Sequence, residues 1–242
     1  MKNFLKNGLL LLVIISFMIG GTLQAKELKA SLAKMPGYAE SVDKGVLVDL
    51  VKAMEKAYGK KIIRQVVPFA RSMNNIIEGE VDFHMPLIKL PDSKSKKLPY
   101  DYSAETIFHV NFVLYSHKDK PLDMKQMKTY KLETDRAHIN YFEFPIAASS
   151  GIDSSLKKLA AKRIDGFIFA DFATDPVLKQ MNSKEIKRQL FKVYDVKIIL
   201  KKGDAGGTLD RKLSEIIGKL RESGEYDKIM SSIEKAYDNW QM

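Results

Sequence analysis

The chain has 242 residues, 45% of them hydrophobic and 29% charged, with a formal net charge of +10 and no cysteine. That length allows one or two domains of roughly 100 to 200 residues each, and the apolar share excludes a disordered, collagen-like or multi-span membrane chain. Without cysteine there is no disulfide, no thiol nucleophile, no Cys-ligated zinc and no thioether-linked lipid anchor.

Residues 1–25 read as an export signal. Lys2 and Lys6 give a basic start, and the apolar run from Leu9 to Ile19 is shorter than the roughly 20 residues of a bilayer span. Gly20, Gly21 and Ala25 suit a signal peptidase, so cleavage after Ala25 is expected, with an uncleaved anchor as the alternative. From residue 26 onward the excess of basic over acidic residues is +8. An exported protein carries that charge among lipids, wall polymers and small anions, not nucleic acid. The lysines alternate with acids, as around Glu185, Lys187, Arg188 and Asp195, which reads as solvated surface. No later stretch is apolar enough to span a membrane, so a soluble product is expected, and the missing lipidatable cysteine favours the periplasm.

Beyond the signal, strand and helix periodicities alternate. Leu28, Ala30 and Leu32 alternate as a strand, and Pro36-Gly37-Tyr38 turns the chain. Leu47, Leu50, Val51, Met54 and Tyr58 recur at helical spacing up to Gly59. A strand over Ile62 to Phe69, a short helix with Met73, Ile76 and Ile77, and a strand over Val81 to Leu87 complete a βαβαβ beginning. That order implies a parallel sheet flanked by helices. Lys89 to Lys97 reads as loop, and Thr106 to Ser116 as a long strand suited to a crossover. A second α/β unit follows: strand Tyr130 to Thr134, helix near His138 to Phe144, strand Ile146 to Ser149, helix Ser154 to Ala161, strand Gly166 to Ala170. Phe191 to Leu200 returns as a strand. Two helices close the chain, one through Leu213, Ile216, Ile217 and Leu220, the other from Tyr226 through Tyr237, with Gly224 between them.

Four strings in this order carry a resemblance: Gly45 to Leu50 (GVLVDL), Val67-Pro68-Phe69 leading to Gly79-Glu80-Val81-Asp82, Arg163 to Asp171 (RIDGFIFAD), and Ser223 to Ile229 (SGEYDKI). Together they resemble the polar amino acid type of periplasmic solute-binding protein, family 3, over nearly all of residues 26 to 242. The resemblance implies an α/β, two-lobed periplasmic-binding-protein-like II fold whose lobes are mostly parallel sheets joined by two crossing hinge strands. It implies a first lobe over 26–108, a second over 109–195, and a return to the first over 196–242, with the hinge near Thr106 to Val110 and Tyr194 to Val196. It further implies a monomeric receptor that captures a small amino-acid-like or other carboxylate solute in the interlobe cleft and delivers it to the permease of an ABC importer. Open parallel sheets do place ligands beyond the carboxyl ends of their strands, where helix N-termini offer free N–H groups.

The site residues follow from the same resemblance. Phe69 falls where the family packs an aromatic ring on the ligand, or it closes a strand in the core. Tyr38 falls near a second aromatic wall. Asp171 matches the family's ammonium-binding carboxylate, or caps the helix beyond. The family's Thr-x-x-Arg after Asp82 is Pro91, Asp92, Ser93, Lys94 here, so the bidentate carboxylate fork is missing. Lys94 or Lys96 would take its place as a point charge, with Lys89 at the strand end nearby. The family's Gly-Thr in the second lobe is Asp135-Arg136. Arg136 and Arg71, each at a helix start, are the candidate anion partners, and Glu133 would favour a cationic ligand group.

Enzyme readings are weaker. His84, His109, His117 and His138 form no metal-binding pair, Ser149-Ser150-Gly151 lacks the flanking glycine of a nucleophile elbow, and no phosphate loop is present. No metal, cofactor or catalytic residue is therefore expected. Two alternatives stay open: a receptor that presents its ligand to a membrane sensor, and a cyclohexadienyl-dehydratase-like enzyme on the same fold with Glu133 or Asp171 as general acid.

Overall fold

The computed structural model describes residues 27–242, so the export signal read over 1–25 lies outside the described residues. The strands are β1 (Leu28–Ala33), β2 (Ile62–Val67), β3 (Phe83–Ile88), β4 (Tyr100–His117), β5 (Leu132–Thr134), β6 (Ala147–Ala148), β7 (Gly166–Ala170) and β8 (Ile186–Lys201). The α-helices are α1 (Val46–Tyr58), α2 (Phe69–Ile77), α3 (Asp92–Ser95), α4 (Ile152–Ala160), α5 (Asp171–Met181), α6 (Thr208–Glu222) and α7 (Glu225–Met230), with 3-10 helices at Met124–Thr129 and Arg136–Tyr141.

All eight strands share one sheet, in the order β2-β1-β3-β8-β4-β7-β5-β6. In one lobe β1 lies parallel to both β2 and β3; in the other β5 lies parallel to both β6 and β7. Between them β4 and β8 run antiparallel from Tyr100 opposite Lys201 to His117 opposite Ile186. The end of β8 near Leu200 pairs with β3, and the far half of β4 pairs with β7. These two strands therefore belong to both lobes. Their register shifts between Tyr102 and Thr106, between Thr106 and Phe108, and between Phe112 and Val113, and such irregularities bend and twist a strand pair.

The α1 stripe of Leu47, Leu50, Val51 and Met54 packs with Leu213, Ile216, Ile217 and Leu220 of α6 and with Tyr226 and Met230 of α7. Each such fully buried aliphatic side chain contributes about 1.5–3 kcal/mol. Gly59 ends α1 in the left-handed region, its N–H donating to the Glu55 and Lys56 carbonyls. The second lobe has its own core, where Val113, Tyr115, Leu156, Leu159, Phe167 and Leu178 pack between α4, α5 and the sheet.

Several expectations shift. Lys89 to Lys97 contains α3, and β6 is only two residues long. The helix expected near His138 is the 3-10 turn Arg136–Tyr141, opened by the Asp135 side chain, which accepts from the Ala137 N–H. The last helix stops at Met230, with Ile233 in the turn that follows it and Tyr237 on an irregular tail. That tail is drawn off the helix by hydrogen bonds to β4 and β8. Glu234 accepts from the His109 N–H at 3.0 Å, the Lys235 carbonyl from Asn111 at 3.0 Å, and the Asp238 and Trp240 carbonyls from the Arg188 guanidinium at 2.9 and 2.8 Å.

Arg188 anchors the tail from a buried position. Its Nε donates to Asp175 Oδ1 at 2.8 Å and Nη2 to Oδ2 at 2.5 Å, while the Tyr115 hydroxyl and Trp240 Nε1 also donate to Asp175. The Trp240 ring stacks on the guanidinium at 4.1 Å. Asp175→Ala would leave that guanidinium buried and uncompensated, which costs about 3–5 kcal/mol. Chemical denaturation should show a loss of this size; a loss below about 1 kcal/mol would mean that the tail is not anchored there.

Candidate functional site

A cavity of about 380 Å3 lies where the lobes meet, within the roughly 300–1,000 Å3 range of small-molecule pockets. One lobe supplies Met35, Tyr38, Phe69, Pro86, Leu87 and Ile88. The crossing strands supply Phe108, Val110, Phe112 and Val196, and the second lobe Ala137, His138, Tyr141, Phe169, Ala170 and Phe172. No Asp, Glu, Lys or Arg lines it.

Backbone geometry holds the Tyr38 wall. The first free amides of α1, Val46 and Leu47, donate to the Gly37 and Tyr38 carbonyls at 3.2 and 2.9 Å, so this helix start is spent on the turn and not on a ligand. Gly45 allows it: φ is 131°, and a Cβ there would collide with the Tyr38 carbonyl and the Ala39 Cα. The Tyr38 ring then packs at 5.7 Å on both Phe108 and Phe172. Burial, reinforced by the Asp171 carboxylate, pushes its phenol up to about 12.

Phe69 is 45% exposed, so it does not close a core strand; it begins α2 and lines the cavity. Its ring meets the edge of His84 at 5.9 Å. His84 and Ser72 are fully buried, with Ser72 Oγ 2.6 Å from His84 Nδ1 and 2.8 Å from Ser31 Oγ. This serine and histidine pair is sealed behind the wall, where no substrate reaches it.

The charged residues expected at the site go elsewhere. Lys94 Nζ donates to the Asn140 and Phe142 carbonyls at 2.8 and 2.6 Å, across the cleft at the end of the 3-10 turn. Ser93 donates to Glu143 beside it, and the Tyr141 hydroxyl to the Ile88 carbonyl. Glu133 is buried against α4, accepting from Ser155 at 2.6 Å and Lys158 at 2.8 Å. Lys89 pairs with Asp92 at 3.0 Å. Arg71 and Arg136 are exposed on their helix first turns and do not line the cavity.

Asp171 opens α5, where Oδ1 accepts from its neighbour Phe172 N–H at 2.7 Å and Oδ2 from Asn111 at 3.0 Å. Asp171 is the first helical residue and Ala170 the N-cap, so the carboxylate does not cap the helix as the alternative reading had it. Its carboxylate faces a second groove beside the C-terminal tail, with Asp175, Lys179 and Trp240. Burial holds this carboxyl above the usual range, and Asp175 adds to the rise.

Sequence reasoning passed over Phe108, Phe112, Phe169 and Phe172 as walls, and His138 as their polar partner. The alternation of Phe108, Val110 and Phe112 on one strand face was the available signal, as was Asp135 three residues before His138.

Residues 37–233 match the family described as bacterial extracellular solute-binding proteins, family 3. No curated protein matches the chain in sequence. Among solved structures, the GluR0 ligand-binding core from Nostoc punctiforme in complex with L-glutamate is similar at 13% identity and a TM-score of 0.60, covering 85% of this chain and 98% of that one. The arginine-, lysine-, histidine-binding protein ArtJ from the thermophilic bacterium Geobacillus stearothermophilus is similar at 18% identity and 0.58, covering 88% and 97%. A histidine kinase sensor domain with similarity to periplasmic binding proteins follows at 15% identity and 0.59, covering 86% and 95%. At these identities the likeness is one of fold.

Two predictions follow from the walls and their contacts. Burial pulls His84 down to about 4, below its unfolded value near 6.5, so the unfolded chain binds more protons in between. The stability it contributes is whole above pH 6.5 and declines as pH falls toward 4, by on the order of 3 kcal/mol. Denaturation across that range should show the decline in the wild type and a flatter profile in His84→Gln; identical profiles would refute it. Lys94→Met removes two charge-assisted hydrogen bonds across the cleft, so small-angle scattering should give the variant a larger radius of gyration; equal radii would mean that this contact does not hold the lobes together.

Proposed function

Because the chain belongs to the bacterial extracellular solute-binding proteins, family 3, we propose that it is a receptor that closes its two lobes around one small solute and hands it to a membrane partner. The observation that carries this reading is the cavity itself, walled from both lobes and floored by the two strands common to them. Closure about such a strand pair brings Phe69 toward Phe169 with the solute between, beside the Tyr38 and Phe172 rings already in contact. Lys94 then acts as a latch, its ammonium seated on the carbonyl end of the opposing 3-10 turn.

In this reading the first lobe spans 26–108 with a return over 196–242, the second spans 109–195, and the hinge lies near Thr106 to Val110 and Tyr194 to Val196. The register shifts on either side of Thr106 support that placement. The partner is the permease of an ABC importer, and export through residues 1–25 places the monomeric product in the periplasm. A sensing role uses the same cleft, and the likeness to a histidine kinase sensor domain favours keeping it as the second reading. Binding is preferred to catalysis because no carboxylate lines the cavity; Glu133 is paired with Lys158, and Asp171 faces the neighbouring groove. The lining favours a solute with a largely apolar body over the polar or anionic one expected from the sequence.

A thermal-shift screen of a broad solute library, followed by scattering with the best stabiliser, tests the receptor. A saturating solute should contract the Lys94→Met variant toward the dimensions of the wild type. A bound solute that leaves the variant's dimensions unchanged would overturn the closing clamp.

A further inference from the structure

An amino acid bound with both its charges needs a partner for each, since an unpaired charge taken out of water is prohibitively costly. This cavity offers none: it has no acidic or basic side chain apart from one histidine. Two nearby backbone groups are also engaged, the Ala137 N–H donating to Asp135 and the Ile88 carbonyl accepting from Tyr141.

His138 is the exception, and its state follows from its neighbours. Nδ1 lies 3.1 Å from Asp135 Oδ1. Because an ionised carboxylate only accepts, Nδ1 must carry the proton, which leaves Nε2 of the neutral ring as a bare acceptor. No hydrogen bond among the described residues uses Nε2. The ring is wedged among Phe112, Tyr141 and Phe169, with centroids 5.5, 5.2 and 5.3 Å away, so its direction is fixed. Burial also holds the imidazole below its ordinary value, in spite of Asp135.

We propose that the solute is an uncharged molecule with an aromatic or comparably compact apolar body and one hydroxyl or N–H donor, which His138 Nε2 accepts. The proposal rests on the receptor reading and gives its cleft a ligand class. The apolar body lies against Phe69, Phe108 and Phe172, where ring contacts add to burial, and the single donor fixes its orientation.

Calorimetry with p-cresol and toluene, which differ by one hydroxyl, tests this directly, with L-arginine and L-glutamate as charged competitors. The wild type should bind p-cresol about tenfold more tightly than toluene, as one well-made hydrogen bond allows, and should bind neither amino acid. His138→Phe keeps the ring packing and removes the acceptor, so its preference for p-cresol should vanish. In His138→Gln, whose amide oxygen accepts, the preference should be partly kept. If p-cresol and toluene bind equally to the wild type, or His138→Phe keeps the preference, the assignment of Nε2 is wrong. If L-arginine or L-glutamate binds and p-cresol does not, the ligand class is wrong and the receptor stands. If neither the four probes nor the broad library gives binding, both fall.

Discussion

The pairing of β4 with β8 is the constraint on which the rest depends. Two strands of 18 and 16 residues stay hydrogen-bonded from one lobe to the other, and each lobe adds its own strands to one end of the pair. Without them the two three-stranded sheets, β2-β1-β3 and β7-β5-β6, would not be joined. The cavity floor, Phe108 to Phe112 and Val196, therefore lies on the most extensively paired backbone in the molecule. The walls on either side come from turns, helix starts and the ends of β3 and β7.

The fold was largely readable because its signals are local. The α1 stripe ends at a glycine, and strand β7, Gly166–Ala170, coincides with the run of apolar residues that suggested it. Where reading stopped short, tertiary contacts decide the local form. Ile233 and Tyr237 continue the spacing of α7, yet the tail leaves the helix because Arg188, Asn111 and His109 offer partners on β4 and β8. The 3-10 turn at Arg136–Tyr141 is set by Asp135 at its start and by Lys94, far away in sequence, at its end.

The site was less readable. Tyr38 and Phe69 could be placed because a turn and a strand end put them at a lobe edge. The charged candidates carried no sign of where their side chains would be engaged. Lys94 was expected, with Lys96 as the alternative, to stand in for a ligand-binding arginine, but the carbonyls of Asn140 and Phe142 claim its ammonium. Glu133 follows strand alternation to the face opposite the cleft and meets Ser155 and Lys158 there. A pattern shared with a family gives positions along strands; the side-chain chemistry at the cavity is set by which face each position turns inward.

The anchored tail bears on how the lobes move relative to each other. A pair of antiparallel strands bends readily and also twists, so on its own it leaves two rotations open. The segment from Glu234 to Trp240, continuous with α7, lies along that pair and is bound to β4 at His109 and Asn111 and to β8 at Arg188. Chain laid along the pair and bonded to both strands stiffens it against twisting as well as bending. A swing of one lobe against the other would have to carry this bound segment with it, at a higher cost than for a bare strand pair.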